Sequence, residues 1–307
     1  MLRSWKFWAA FALLGALLWL VESTWGWRAV LQSWESIPTA SVVIAMLLML
    51  ASYLLRALRF YDFFYSNCRG QFWRLTRITV LHNFFNNLMP MRSGEAAFPM
   101  LMKSHFDSPL RHTVPALLWL RLLDLYALLV LAGLSLQAHM GWDLSVRLGL
   151  GLIAVLIPLL ILPIQNRLSL FLRQHPSPKL NKASELMTAL PASPWPLVRA
   201  LIWTFVNWAL KVAVFSWLLQ QFISVSFYQA WIGASTGELS SVLPVNGVAG
   251  AGTYEAGIVA GLLPWNIEAA AALAAAVNLH LFVLGSTLLL TALIAAATWQ
   301  VRRPPQH

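Results

Sequence analysis

Six stretches, at residues 7–21, 39–58, 114–138, 146–164, 197–219 and 267–299, approach or exceed the about 20 mostly apolar residues that a helix needs to cross the ~30 Å hydrocarbon core of a bilayer. No other feature constrains the fold as strongly. In lipid, a backbone satisfies its N–H and C=O groups in only two ways, as helices or as a closed barrel. Apolar runs this long, without strict alternation, read as helices. Composition agrees: 59% of the chain is hydrophobic and only 10% is charged, against roughly 25% charged residues in soluble domains. The fold class expected is an all-α integral membrane protein.

The first stretch follows Arg3 and Lys6 as the apolar core of a signal peptide would. No small-x-small cleavage site comes after it, and the chain continues Glu22-Ser23-Thr24-Trp25, so a retained first span is expected. The single cysteine, Cys68, leaves no intrachain disulfide and no cysteine-based metal cluster. Neither a cofactor nor a metal is expected. The longest polar interval, 165–196, is too short for a soluble catalytic domain of ~100 residues. It reads as a cytoplasmic connector within a single membrane domain, 1–307, joining repeat halves 5–139 and 144–300.

Lys and Arg positions orient the spans. With the N-terminus inside, the cytoplasmic flanks hold Arg3, Lys6, Arg56, Arg59, Arg69, Arg74, Arg77, Arg92, Lys103 and Arg111, then Arg167, Arg173, Lys179, Lys182, Arg199, Arg302 and Arg303. Only Arg28 and Arg147 fall outside, while Arg121 and Lys211 fall within spans. Such a bias is the positive-inside pattern. It places both termini in the cytoplasm of a bacterial-type inner membrane. It also accounts for the net charge of +10 without a nucleic-acid partner.

Between spans two and three, and again between spans five and six, lies a shorter apolar segment broken by polar punctuation. The first break reads Asn86-Asn87-Leu88-Met89-Pro90-Met91-Arg92-Ser93-Gly94-Glu95. The second reads Leu243-Pro244-Val245-Asn246-Gly247, followed by Gly250, Gly252, Thr253, Tyr254 and Glu255. Each is expected to be a re-entrant helical hairpin. Three spans per half is an odd number, so the halves run in opposite directions, an inverted-topology repeat of the kind that frames a transporter's central site. Pro90, Gly94, Pro244, Gly247, Gly250 and Gly252 are the expected hinges. The alternative is two unrelated loops that each contain a proline.

Charged groups at a helix centre cost ~2.5–3.5 kcal/mol each on insertion scales. Arg121, Asp124 and Lys211, with Glu95, Glu238 and Glu255, are therefore expected to be paired or wetted around a shared interior. Arg121 and Asp124 sit at i and i+3 and can meet on one helical face, as an internal pair or with Arg121 turned towards Glu95 or a lipid phosphate. His82, Asn83, Asn86 and Asn87 form one polar helical face. Ser93-Gly94-Glu95 can open a half-helix whose free N–H groups suit an anion, with Arg92 adding charge. Glu238 and Glu255 are open to three roles: proton carrier, partner of Lys211, or helix cap. Asn207 shares a helical face with Lys211. His280 reads as a hydrogen-bonded core histidine rather than a metal ligand.

Gly233-Ala234-Ser235-Thr236-Gly237 matches the G-x-S-x-G esterase pattern, but that elbow needs a strand before the serine. Here it lies in a helical stretch, where glycines at i and i+4 suit close helix packing. Many of the sixteen Trp residues lie near span ends as interfacial anchors.

Arg56-Ala57-Leu58-Arg59, the Asn87–Glu95 string, Arg121-Leu122-Leu123-Asp124, and Leu243–Gly247 with Gly250, Gly252 and Glu255 together resemble the lysylphosphatidylglycerol synthase transmembrane region, or flippase-like domain, over about residues 5–300. The resemblance implies an all-helical inner-membrane protein related to translocators of aminoacylated phospholipids and to proteins linked with polyprenyl or hopanoid lipids. It also implies that the synthase reaction is absent, since that chemistry belongs to a separate soluble domain. An acidic residue often found before the family's RxxD-type motif is Leu120 here. The function expected is a non-enzymatic lipid flippase for an anionic lipid. Arg92, Arg121 and Lys211 would hold phosphate, Asn86 and Asn87 would line the cavity, and Glu95, Asp124, Glu238 and Glu255 would balance charge or carry protons. The alternatives are a membrane-embedded enzyme acting on a lipid headgroup, and a noncatalytic subunit partnering a cell-envelope biosynthesis enzyme.

Overall fold

The computed structural model describes residues 5–24, 26–89, 94–160, 194–242 and 247–298, with the single positions 167 and 171; the side chains of 5–13, 138, 139 and 194 are not described. Pro90, Arg92 and Pro244 lie outside the described residues, as does most of the connector 165–196.

Among the described residues, regular structure is helical throughout. The first half runs α1 (Trp5–Thr24), α2 (Trp27–Gln32), α3 (Thr39–Phe63), α4 (Tyr65–Cys68), α5 (Phe72–Leu88), α6 (Ala97–Phe106) and α7 (Leu110–His139). The second runs α8 (Leu144–Leu156), α9 (Pro194–Phe222), α10 (Phe227–Val242), α11 (Thr253–Leu262) and α12 (Ala269–Ala297). Four of these, α3, α7, α9 and α12, are long and apolar enough to cross a membrane. At ~1.5 Å rise per residue, the 25 residues of α3 extend past the ~30 Å apolar core. The apolar helices α1 and α8 are shorter, and the described part of the expected 146–164 span closes in a 3-10 turn at Ile157–Leu160.

The long helices turn apolar side chains outward. Val43, Ile44 and Leu47 of α3, Leu118, Leu122 and Leu129 of α7, Ile202 and Val206 of α9, and Leu288, Leu289 and Leu293 of α12 are all exposed. Their polar residues face inward: Ser52, Arg59, Asp124, Thr204, Asn207, His280 and Thr287 are buried. In water this arrangement would aggregate; in lipid it satisfies both surfaces. The main core gathers Trp208, Phe215, Leu218 and Leu219 of α9 with Leu128 of α7, Ile258 of α11 and Leu279 of α12. A second cluster joins Phe60, Leu75, Ile78, Phe98, Met102 and Leu120 around the first break.

Both broken segments fold back on themselves. α10 and α11 pack as an antiparallel pair, and a Cβ at Gly261 would meet the Thr236 hydroxyl and, at 3.1 Å, the Gly233 Cα. This close approach is what Gly233 and Gly237 serve. The G-x-S-x-G string is therefore packing, since Ser235 is fully buried inside an unbroken helix. Before α11 the chain turns through Ala249 (φ 55), Gly250 (φ 83) and Gly252 (φ 81), backbone that glycine adopts without strain. In the first pair a Cβ at Gly94 would overlap the backbone of Phe85, so the chain after the break lies directly on α5.

Candidate functional site

Two ionic clusters occupy the interior, and each is anchored on one broken segment. In the first, Arg59 of α3 reaches Asp124 of α7 at 2.5 Å, with exposures of 2% and 0%. Arg59 also donates to Thr204 of α9 at 3.0 Å, and the Trp208 indole donates to Asp124 at 2.7 Å. Arg121 bridges outward, donating to Asp124 at 3.1 Å and lying 3.0 Å from Glu95. His82 Nε2 lies 3.3 Å from that same carboxylate. The i, i+3 pair and the contact with Glu95 thus coexist, and the other terminal nitrogen of Arg121 lies 3.4 Å from His82 Nε2.

In the second cluster Lys211 of α9 donates to Glu238 of α10 at 2.7 Å, and the Tyr254 hydroxyl donates to the other Glu238 oxygen at 3.4 Å. Glu255 opens α11: its Oε2 accepts the Gly252 N–H at 2.8 Å, satisfying one of the helix's free amides, while Oε1 meets His280 Nδ1 at 2.6 Å. His280 Nε2 lies 2.9 Å from the Ala249 carbonyl. A carbonyl only accepts, so Nε2 is the nitrogen that donates there. In the structure Glu238 is the partner of Lys211 and Glu255 caps α11.

Beside the second cluster lies a polar chamber of about 50 Å³. Asn86, Asn87 and Met89 line it from α5 and its end, Lys211 from α9, Glu238 and Ser241 from α10, Gly250 and Tyr254 from the second break and α11, and His280 from α12. A smaller cavity of about 20 Å³ adjoins it, sharing Asn87, Lys211 and Val283 and reaching Tyr53, Arg56, Asn83 and Thr287. The polar face expected on α5 therefore points inward: Asn83 accepts from Arg56 at 2.6 Å and Asn87 donates to Thr287 at 3.0 Å. Asn207 accepts from Ser52 at 2.8 Å and is not in the chamber lining. Outside the second break, an apolar groove of about 410 Å³ runs between α1, α11 and α12, with Gly252 and Glu255 at its wall.

The structure brings Asn86, Asn87, Lys211, Glu238 and Gly250 together in the chamber. Glu95, Arg121 and Asp124 form the adjacent ionic cluster, Glu255 and Gly252 stand in the wall, and Gly247 and Gly94 shape the two returns. Arg56 and Arg59 are the residues that sequence reasoning missed. Both were counted among cytoplasmic flanks, whereas α3 runs on to Phe63 and carries them inward to α5, α7 and α9. The signal was present: at i and i+3 they share a face with Ser52, and an Asp in span three needed a partner.

An all-helical, multi-pass bundle that hides an ionic interior behind an apolar surface defines an integral membrane protein with a buried polar site. The family model of the lysylphosphatidylglycerol synthase TM region matches residues 7–291, and the chain belongs to that family. No curated protein and no solved structure matches it.

Proposed function

We propose that the chain is a lipid translocator, moving an anionic phospholipid or a polyprenyl- or hopanoid-type lipid across a bacterial-type inner membrane. The observation that carries this reading is the polar chamber, lined from both broken segments inside a bundle whose outer surface is apolar. Family membership points to a membrane lipid as the cargo class. The apolar groove beside the second break suits lipid tails, while the chamber suits headgroup atoms.

In this reading α1, α3 and α7 span in one half and α8, α9 and α12 in the other. The α5/α6 and α10/α11 pairs enter from opposite faces as an inverted repeat, with both termini cytoplasmic. The basic flanks concentrate anionic lipid at that face. The chain acts by binding and conformational exchange, with no chemical step assigned to it. The test is reconstitution into vesicles carrying labelled phosphatidylglycerol. Wild type should move label between leaflets, and Lys211→Met and Glu238→Gln should slow it at least tenfold. Absence of movement by wild type would sink the proposal, and chemically altered lipid would favour an enzyme.

A further inference from the structure

Each of the interior cations Arg59, Arg121 and Lys211 touches a carboxylate; Arg56 touches none among the described residues. Its one hydrogen-bond partner among the described residues is the neutral Asn83 amide, 2.6 Å from one terminal nitrogen, and its guanidinium lies 5.9 Å from the centroid of the Trp208 ring. A guanidinium has five N–H donors, so four remain uncommitted. None of its nitrogens is enclosed without a partner, and the side chain lines the adjoining cavity.

Thr287 lines the same cavity. Its Oγ1 accepts from Tyr53 at 3.1 Å and from Asn87 at 3.0 Å. With both lone pairs used, its own hydrogen is free to donate. Lys211 stands at the junction with the larger chamber, 4.9 Å from the centroid of that same Trp208 ring. The cavity thus carries surplus donors and, at Arg56, a positive charge with no carboxylate in contact among the described residues, and its volume matches about one water-sized group. Its size suits anionic oxygens, with the remainder of the group in the adjoining chamber.

We infer that Arg56, with Thr287 and Lys211, is the seat of a phosphate group, held by the two-pronged geometry that guanidinium offers to phosphate. That the phosphate belongs to a lipid headgroup rests on the translocation reading; the seat itself is equally suited to free phosphate.

Calorimetric titration of the full chain in dodecyl maltoside micelles, which contain no phosphate, tests this. The probes are dihexanoyl phosphatidylglycerol, dihexanoylglycerol and inorganic phosphate. Phosphatidylglycerol should bind and dihexanoylglycerol should not. Arg56→Gln should weaken the former at least tenfold, Arg56→Lys should retain part of the affinity, and Thr287→Val should lose severalfold. Asp62→Asn, in the half-exposed pair with Arg199, should bind as wild type. If Arg56→Gln does not fold, Arg56→Lys and Thr287→Val decide. Inorganic phosphate binding as tightly as the lipid assigns the seat to the free anion, and weaker binding assigns it to a headgroup. Unchanged affinity in the Arg56 and Thr287 variants overturns the seat, as does a wild type that binds neither phosphate ligand. Arg56-dependent binding by a wild type that moves no lipid in vesicles would remove the translocation reading and leave the seat standing. Lipid movement with unaltered binding in the variants would do the reverse.

Discussion

Asp124→Asn should be the most damaging conservative change in the protein. The Asp124 carboxylate is fully buried and takes hydrogen bonds from Arg59, Arg121 and Trp208. Neutralising it leaves Arg59, itself 2% exposed, with no carboxylate among the described residues, whereas Arg121 keeps Glu95. Removing one partner of a buried pair typically costs about 3–5 kcal/mol. Arg59→Met should cost less, because Asp124 then retains Arg121 and Trp208. It also removes a buried Arg59 Nε that has no hydrogen-bond partner. The double variant Arg59→Met/Asp124→Leu should be milder than the sum of its parts, since apolar replacements of a buried pair are often near neutral; Arg121 still has Glu95. The assay is equilibrium unfolding in mixed micelles with increasing sodium dodecyl sulfate, followed by circular dichroism. Asp124→Asn within about 1 kcal/mol of wild type, or Arg59→Met more damaging than Asp124→Asn, would refute the argument that uncompensated charge sets the cost.

The Lys211–Glu238 pair should behave similarly: Lys211→Met should destabilise by about 3–5 kcal/mol, and adding Glu238→Leu should recover stability in the same unfolding assay but not lipid movement. At the half-exposed Arg199–Asp62 pair, Asp62→Asn should change stability by only ~0–1 kcal/mol. Gly261→Val should cost about 1–3 kcal/mol through overpacking against Thr236 and Gly233, whereas a Cβ at Gly149 meets nothing within 4 Å. Equal losses for Gly261→Val and Gly149→Ala would contradict the close-packed hairpin. Burial pushes the Cys68 thiol, in α4 beyond the end of α3, from 9.0 up to about 12. The folded state disfavours the thiolate, so this contribution is full below pH 9 and is lost as pH rises from there towards 12. Iodoacetamide labelling at pH 8 should stay slow until the protein is unfolded; rapid labelling of native protein would show an open site.

Much of the interior was legible because intramembrane charge is costly and must find a partner. Arg121, Asp124, Lys211 and Glu238 were visible as isolated charges in apolar runs, and all four are paired. Their partners were harder to name. Arg121 takes both Asp124 and Glu95, a choice that spacing leaves open because Glu95 is 26 residues away in the chain. Arg56 and Arg59 were misread because they lie at the end of an apolar run, where a long basic side chain ordinarily reaches the membrane surface. Only the packing of α3 against α9 and α5 turns them inward. Glu255 was open to three roles, proton carrier, partner of Lys211 or cap; the return of the chain through Gly250 and Gly252 puts it on the Gly252 amide and His280.

The sequence by itself determined the solvent and the secondary structure: long apolar runs in lipid close every backbone hydrogen bond only as helices. It also marked both breaks, because proline and glycine interrupt a helix by local geometry alone. The tertiary structure decided which buried charges meet, and left Arg56 without a carboxylate among the described residues. Pairing depends on side chains from helices far apart in the chain converging to within about 3 Å, and only the packed bundle fixes those distances.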